Sequence, residues 1–333
     1  KQNQRTALPL VSNDKDKATE QKIERFQLFA DKQKKENRNT IFDIENLSNY
    51  KNKIAIIHAD GNGLGNIVKE LNENEIIKFS KDLDEATRKA YKLASEGIEK
   101  IRKVILGGDD LTVIVDANEA LKFTKKFLEE FEKNSKKIYK DFDLTACAGI
   151  TFCNEKYPFH YAVKLSEDLC SHAKKDSKDF AKEKNLSLAP SSIMFHNIQS
   201  SNVESFSKFI DDELTINGVR CDFGAYYLNE YENKPTIENL EKVIEDFKKE
   251  NSPKGRLREW LSDLEFDRTY ANNQLNRIKE MSKKNKWETK NLSKLHKELK
   301  IDKLIVQKDN KQKTPIYDIL QILSVVDENK DTK

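Results

Sequence analysis

Three carboxylates with glycines beside them are the residues of this sequence best suited to chemistry. Asp60 ends the apolar run KIAIIHAD (53–60) and is followed by GNGLGN (61–66). Asp109 and Asp110 lie between two apolar runs in VILGGDDLTVIV (104–115). Carboxylates brought together repel unless a cation separates them. Mg2+ and Mn2+ are hard ions that take carboxylate, carbonyl, water and phosphate oxygens. Two such ions, ~3.5–4 Å apart, activate a ribose hydroxyl and stabilise a leaving pyrophosphate. Asp60, Asp109 and Asp110 are therefore the expected catalytic and metal-binding groups.

The surrounding residues fit a nucleotide. Gly61, Gly63 and Gly65 open the turn after Asp60, and Asn62 and Asn66 belong to the same nucleotide-facing segment. The first N–H groups of the helix that follows, near Asn66 and Ile67, are placed to receive phosphate oxygens. Gly107 and Gly108 permit a tight turn and a close approach of phosphate or base. No Gly-Lys-Ser/Thr follows, and the GxGxxG spacing is absent, so neither phosphate-binding fingerprint applies. Further along, Lys174 and Lys178 are spaced to share a helix face and to bind a triphosphate. The plainer reading of two lysines in a lysine-rich chain is a solvated face.

These groups need elements to hold them. The runs 53–60, 101–107, 110–116, 144–152 and 191–198 read as strands. Residues 67–95, 117–140 and 157–175 read as helices, the first in two pieces. The short Gly-Asp turn makes 101–116 an antiparallel hairpin. The order β-α-β-β-α-β, then α-β, predicts an α+β fold: a ferredoxin-like βαββαβ sheet with an added helix–strand unit. In that sheet the first strand lies beside the third, so Asp60 and the hairpin tip meet at one edge. A helix is expected over 18–37, within an N-terminal extension of residues 1–50. The sheet domain spans 51–200. Residues 201–333 form a connector and a mostly α-helical C-terminal region, with helices over 236–250, 253–263, 267–285, 289–299 and 314–326. The Leu and Ile spacing at 316–324 offers contacts or sensing. Lys254, Arg256 and Arg258 read as a solvated helix start.

Composition narrows the class. The 60 basic and 57 acidic residues leave a formal net charge of +3, so no strong basic field marks a nucleic-acid binder. Cys147, Cys153, Cys170 and Cys221 form no Cys-x-x-Cys pair and read as buried or semi-buried free thiols in a reducing compartment. With no apolar stretch of about 18 residues and no visible signal peptide, a cytoplasmic protein without a membrane span is expected.

IIHADGNGLG, VILGGDDLTVIV, LTACAGITFCNEKYPF and SEDLCSHAKK occur in an order that resembles the palm of the polymerase/cyclase-like large subunit of type III CRISPR effector complexes. That palm is related to the GGDEF domain of diguanylate cyclases, and the resemblance covers roughly 50–200. It implies a metal-dependent nucleotidyltransferase that joins nucleoside triphosphates into a cyclic oligonucleotide messenger, releases pyrophosphate and serves anti-phage defence. It also implies two Mg2+ or Mn2+ ions on Asp60, the Gly61 carbonyl and Asp109. Asp110 is then a further ligand or the group that deprotonates the attacking hydroxyl, and Lys174 and Lys178 are triphosphate contacts.

The departures matter. Positions where diguanylate cyclases read guanine hold Val68 and neighbouring residues of another kind, and 98–101 read IEKI instead of an Arg-x-x-Asp inhibitory site. Diguanylate synthesis is therefore not expected, and ATP is favoured by analogy alone. One palm cannot supply both a donor and an acceptor site, so a homo-oligomer is expected, with a downstream effector binding the product. The alternative is a non-catalytic palm that senses a nucleotide or ligand and signals through its helical region.

Overall fold

The computed structural model describes residues 9–12, 15–35, 41, 43–140, 143–199, 206–249, 252–285, 288–308 and 310–327. The chain divides into two compact units, Lys1–Phe42 and Asp43–Lys333. In the first, strands Leu10–Ser12 and Lys15–Asp16 pair antiparallel and lead into the helix Lys17–Lys35. The Asp16 carboxylate accepts the Thr19 N–H at 2.9 Å and so caps that helix.

The second unit is built on a six-stranded sheet. Numbered within this unit, its strands are β1 (Lys53–Gly61), β2 (Ile101–Gly107), β3 (Asp110–Asp116), β4 (Ala146–Asn154) and β5 (Ser192–Asn197), with the short β8 (Tyr226–Tyr227) at one edge. The spatial order is β8-β5-β4-β1-β3-β2. β1 pairs antiparallel with both β3 and β4, β2 antiparallel with β3, and β5 parallel with β4. This is the expected βαββαβ arrangement with a helix–strand unit added beyond β4.

The helices between these strands follow from their sequence. α1 (Leu64–Lys69) and α2 (Glu73–Ser95) are the two expected pieces. Asn72 separates them and caps α2: its side chain accepts the Glu75 N–H while the Glu75 carboxylate accepts the Asn72 N–H. On α3 (Ala120–Asn134), Phe123, Phe127 and Phe131 recur every four residues, are buried and stack on one another.

α4 (Phe159–Lys184) runs nine residues beyond the expected end at 175. It lies against β4 at a separation that only a glycine allows. A Cβ on Gly149 would stand 2.0 Å from the Ser166 carbonyl oxygen and 2.5 Å from the Cys170 nitrogen. All four cysteines are free, as expected from their spacing, and all four are buried.

The C-terminal part is mostly helical, with α5 (Phe206–Asp212), α6 (Ile237–Lys248), α7 (Lys254–Phe266), α8 (Arg268–Asn285), α9 (Glu288–Leu299) and α10 (Ile316–Val325). It also carries a small sheet that the sequence reading does not include, in the order β9-β10-β7-β6. Its strands are β6 (Thr215–Ile216), β7 (Val219–Arg220), β9 (Val306–Lys308) and β10 (Lys311–Lys313). Asn217 and Gly218 join β6 to β7, both at positive φ (46° and 76°). That is the dipeptide a type I′ hairpin favours, so the signal is present in the sequence.

α10 corrects a second expectation. Ile316, Ile319, Ile322 and Val325 are buried, so this face supplies the protein's own core and not a free contact surface. Asn49 donates to the Val325 carbonyl at 2.7 Å, and the Asn197 N–H donates to Gln321 at 2.9 Å, which tie α10 to the sheet domain. Arg256 pairs with Glu259 at 3.0 Å on an exposed helix turn, in keeping with the solvated reading of that basic cluster.

Candidate active site

Strand register brings the carboxylates together. Ala59 of β1 pairs with Leu111 of β3, and one step further along lie Asp60 and Asp110. Gly107 pairs with Asp110, leaving Gly108 and Asp109 as a two-residue loop. Gly108 takes φ +61°, which suits the first loop position of a type II′ hairpin and disfavours any side chain there. Gly107 has no such constraint; a Cβ there would touch only Asp84, at 3.9 Å.

The outcome is a cluster in which one oxygen each of Asp60, Asp109 and Asp110 lie within 4.8 Å of one another, a group that could hold a metal ion. Asp60 and Asp109 are half-buried and Asp110 is exposed. Burial, then a hydrogen bond with Asp60 and the Asp60 charge, push the Asp109 carboxyl up to about 6. Crowding that makes a carboxyl hold its proton more tightly is the electrostatic counterpart of a cation site. Gly61 keeps the space open: a Cβ on it would stand 3.0 Å from Asp109 Oδ2 and 2.5 Å from Leu64 Cδ1. An all-oxygen set of carboxylates and a carbonyl suits Mg2+ or Mn2+ better than zinc or copper.

Lys174 reaches this cluster from α4. Its ammonium donates to the Asp60 carboxylate and, at 2.7 Å, to the Gly61 carbonyl. Lys178, one turn on, is exposed and lines a cleft of about 830 Å3 with Gly63, Asn66, Tyr139, Lys140 and Lys182.

Two expectations about the turn after Asp60 are corrected. Asn62 is fully buried, and its amide donates to Thr145 Oγ1 and to the Ala189 carbonyl, both at 3.1 Å. Its side chain ties the turn to the segments that lead into β4 and β5 and does not face a nucleotide. The N–H groups of Asn66 and Ile67 donate to the Gly63 carbonyl at 3.0 and 3.4 Å, so they are committed within the turn and not offered to phosphate. Gly63, at φ +70°, begins α1, and the space beside Gly65 is open.

The sequence reading misses the residues that hold the hairpin tip. Gly108 donates its N–H to Asp84 Oδ1 at 3.1 Å and accepts the Thr87 hydroxyl on its carbonyl at 2.6 Å. Arg88 pairs with Asp84 at 2.6 Å and reaches the Leu106 carbonyl at 3.4 Å. These three residues recur at i, i+3 and i+4 on α2 and so form one patch. The Arg88 guanidinium holds the Asp84 carboxyl below its usual range.

Residues 53–183 match the family described as Cas10/Cmr2, second palm domain. No curated protein sequence matches the chain. Among solved structures, the Csm1–Csm4 cassette in complex with AMPPNP is similar at 16% identity, with a TM-score of 0.36, over 40% of this chain and 21% of that one. The chain thus spans about a fifth of that relative's length. The same cassette in complex with cA3 aligns at 14% identity and a TM-score of 0.43, over 83% of this chain and 36% of that one. The active GGEEF domain of a Vibrio cholerae diguanylate cyclase aligns at 10% identity and a TM-score of 0.32, over 45% of this chain and 86% of that one. The family match covers the same strands and helices that assemble the carboxylate cluster, so residues 53–183 are similar to the second palm domain of Cas10/Cmr2.

Proposed function

We propose that this chain is a divalent-metal-dependent nucleotidyltransferase that joins nucleoside triphosphates, ATP among them, into a cyclic oligonucleotide with release of pyrophosphate. The observation that carries the reading is the convergence of Asp60, Asp109 and Asp110 within 4.8 Å, with the Lys174 ammonium on Asp60. Mg2+ or Mn2+ would be held by Asp60, the Gly61 carbonyl, Asp109 and Asp110. Such ions, when bound, neutralise charge on the reacting phosphate and favour the alkoxide form of the attacking hydroxyl.

The chain's own groups define the rest. The ribose hydroxyl oxygen attacks the α-phosphorus of a second triphosphate. The new O–P bond forms as the α–β bridging bond breaks, and pyrophosphate departs with the electron pair. The hydroxyl proton passes to Asp110, the exposed member of the cluster. Lys174 and Lys178 neutralise the triphosphate, and Gly107 leaves room for its approach. Donor and acceptor nucleotides need two sites, and a second copy of this chain would supply the other one. The product acts as a messenger to an effector in anti-phage defence.

Incubation with mixed NTPs and Mn2+, followed by mass spectrometry and pyrophosphate assay, tests this. Pyrophosphate and a cyclic or linear oligonucleotide are expected from the wild type and not from Asp60→Asn or Asp109→Asn. Product from either variant at the wild-type rate overturns the assignment. Nucleotide binding with no turnover moves the reading to a sensing palm.

A further inference from the structure

The corner formed by Asp60 and Gly61 already holds a cation, and that cation belongs to the protein. Lys174 Nζ donates to the Asp60 carboxylate and to the Gly61 carbonyl, the latter at 2.7 Å. The carbonyl contact is telling. An ammonium that only sought charge would be satisfied by the carboxylate, whereas here it sits over a carboxylate and a neutral oxygen together, as a metal ion would. Only 16% of the lysine side chain is exposed, so water screens its charge weakly.

A divalent ion needs the same two oxygens at about 2.0–2.6 Å, depending on the metal. An ammonium held on the same oxygens places a positive charge close to the ion and repels it. The base of the lysine, in contrast, cannot move far. α4 is pressed onto β4 at Gly149, four residues before Cys153 in the strand and facing Cys170 one turn before the lysine. It is also tied beyond the lysine by Asp176, which accepts the Tyr227 hydroxyl and pairs with Lys234 at 3.5 Å. Only the flexible four-carbon stem of Lys174 is free to redirect the charge. The direction in which Lys178 extends, toward the open cleft, is where a triphosphate would offer it new partners.

We propose that Lys174 is a built-in competitor for the divalent cation, displaced from Asp60 and Gly61 when triphosphate oxygens take over its ammonium. The inference rests on the metal reading of Asp60 given above. Its consequence is positive coupling: cation and triphosphate each bind better in the presence of the other, by the same factor. The protein holds metal poorly until a nucleotide arrives, and binds nucleotide poorly without metal.

Titration with Mn2+, read from the paramagnetic resonance signal of free Mn2+, tests this on wild type, Lys174→Gln and Lys174→Ala. Each is measured with and without an α,β-methylene ATP analogue whose own Mn2+ affinity is subtracted. Circular dichroism confirms folding, and Lys174→Gln keeps the length and a donor should Lys174→Ala fail to fold. Without nucleotide, the neutral variants are expected to bind Mn2+ about tenfold more tightly than wild type, within the roughly 5–150-fold range of coupled sites. The analogue should tighten Mn2+ binding to the wild type and leave the variants little changed. Equal or weaker Mn2+ binding by the neutral variants, with Asp60→Asn still lowering affinity, overturns the competitor role and leaves the metal site standing. Mn2+ binding that Asp60→Asn does not alter overturns the metal reading itself.

Discussion

The Asp84 carboxylate accepts the N–H of Gly108 at 3.1 Å and thereby fastens the backbone immediately before Asp109. With Thr87 holding the carbonyl of the same glycine, one turn of α2 grips both polar groups of the residue that reverses the chain. Asp84→Ala removes one backbone contact and leaves an N–H at a half-buried site. A loss of about 1 kcal/mol of stability is expected. Mn2+ affinity and product formation should fall by about tenfold, because Asp109 is no longer held in register with Asp60. Asp84→Asn retains an acceptor oxygen and should recover most of both. Melting temperature, Mn2+ titration and turnover on the three proteins decide the matter; unchanged turnover in Asp84→Ala removes the positioning role.

Gly149→Ala tests the same site from the other side. The added Cβ would stand 2.0 Å from the Ser166 carbonyl oxygen and 2.5 Å from the Cys170 nitrogen, both backbone atoms that cannot step aside alone. α4 must shift as a unit, and Lys174 shifts with it. Overpacking of this kind costs about 1–3 kcal/mol. The expected result is a lower melting temperature and a changed Mn2+ affinity, since the lysine is pulled from Asp60. An unaltered melting curve would show that the helix tolerates the methyl.

The central sheet and the meeting of Asp60 with Asp109 and Asp110 are legible in the sequence, because buried strands ending in glycine and aspartate leave a strong local pattern. What is not legible depends on distance along the chain. Asp84, Thr87 and Arg88 look like ordinary polar positions on an amphipathic helix until the fold sets them against Gly108. Asn62 reads as a nucleotide contact until Ala189 and Thr145 close over it. The apolar face of α10 could serve any partner, and only the tertiary structure shows that it packs against α6, α7 and β5. β8 has two residues, too few for any periodicity.

Asp109 should make the hairpin tip sensitive to pH. Its carboxyl is pushed up to about 6, first by burial and then by Asp60. A carboxyl raised above its unfolded value near 4 favours the folded state most at low pH, and this contribution is lost as pH rises from about 4 through about 6. Asp109→Asn cannot ionise, so without metal it should be more stable than wild type at pH 7 by about 1 kcal/mol, allowing for solvent screening. Wild type and variant should converge toward pH 4. Mn2+ binds the ionised carboxylate, so it should raise the wild-type melting temperature more at pH 7 than at pH 5. Melting curves at pH 4–8, with and without Mn2+, check both statements; parallel profiles for the two proteins would refute the first.

Asp318 carries a larger pH effect, far from the chemistry. It is almost wholly buried on α10 and accepts the Tyr226 hydroxyl at 2.9 Å, the Phe223 N–H at 3.2 Å and a Gln321 amide N–H at 3.1 Å. Burial dominates these hydrogen bonds and, with the charge of Asp222, pushes the carboxyl up to about 7. The folded state therefore prefers the proton, and the stability this confers declines as pH rises from about 4 through about 7. At pH 8 the wild type has lost a few kcal/mol of it. Asp318→Asn keeps the size and one acceptor oxygen but has no charge to bury. It should be near wild type or slightly less stable at pH 5, where an acceptor is exchanged for a donor, and more stable at pH 8. Denaturant titrations at the two pH values measure the crossing. If the variant is less stable by the same amount at both, then the three donors outweigh burial and Asp318 is ionised throughout.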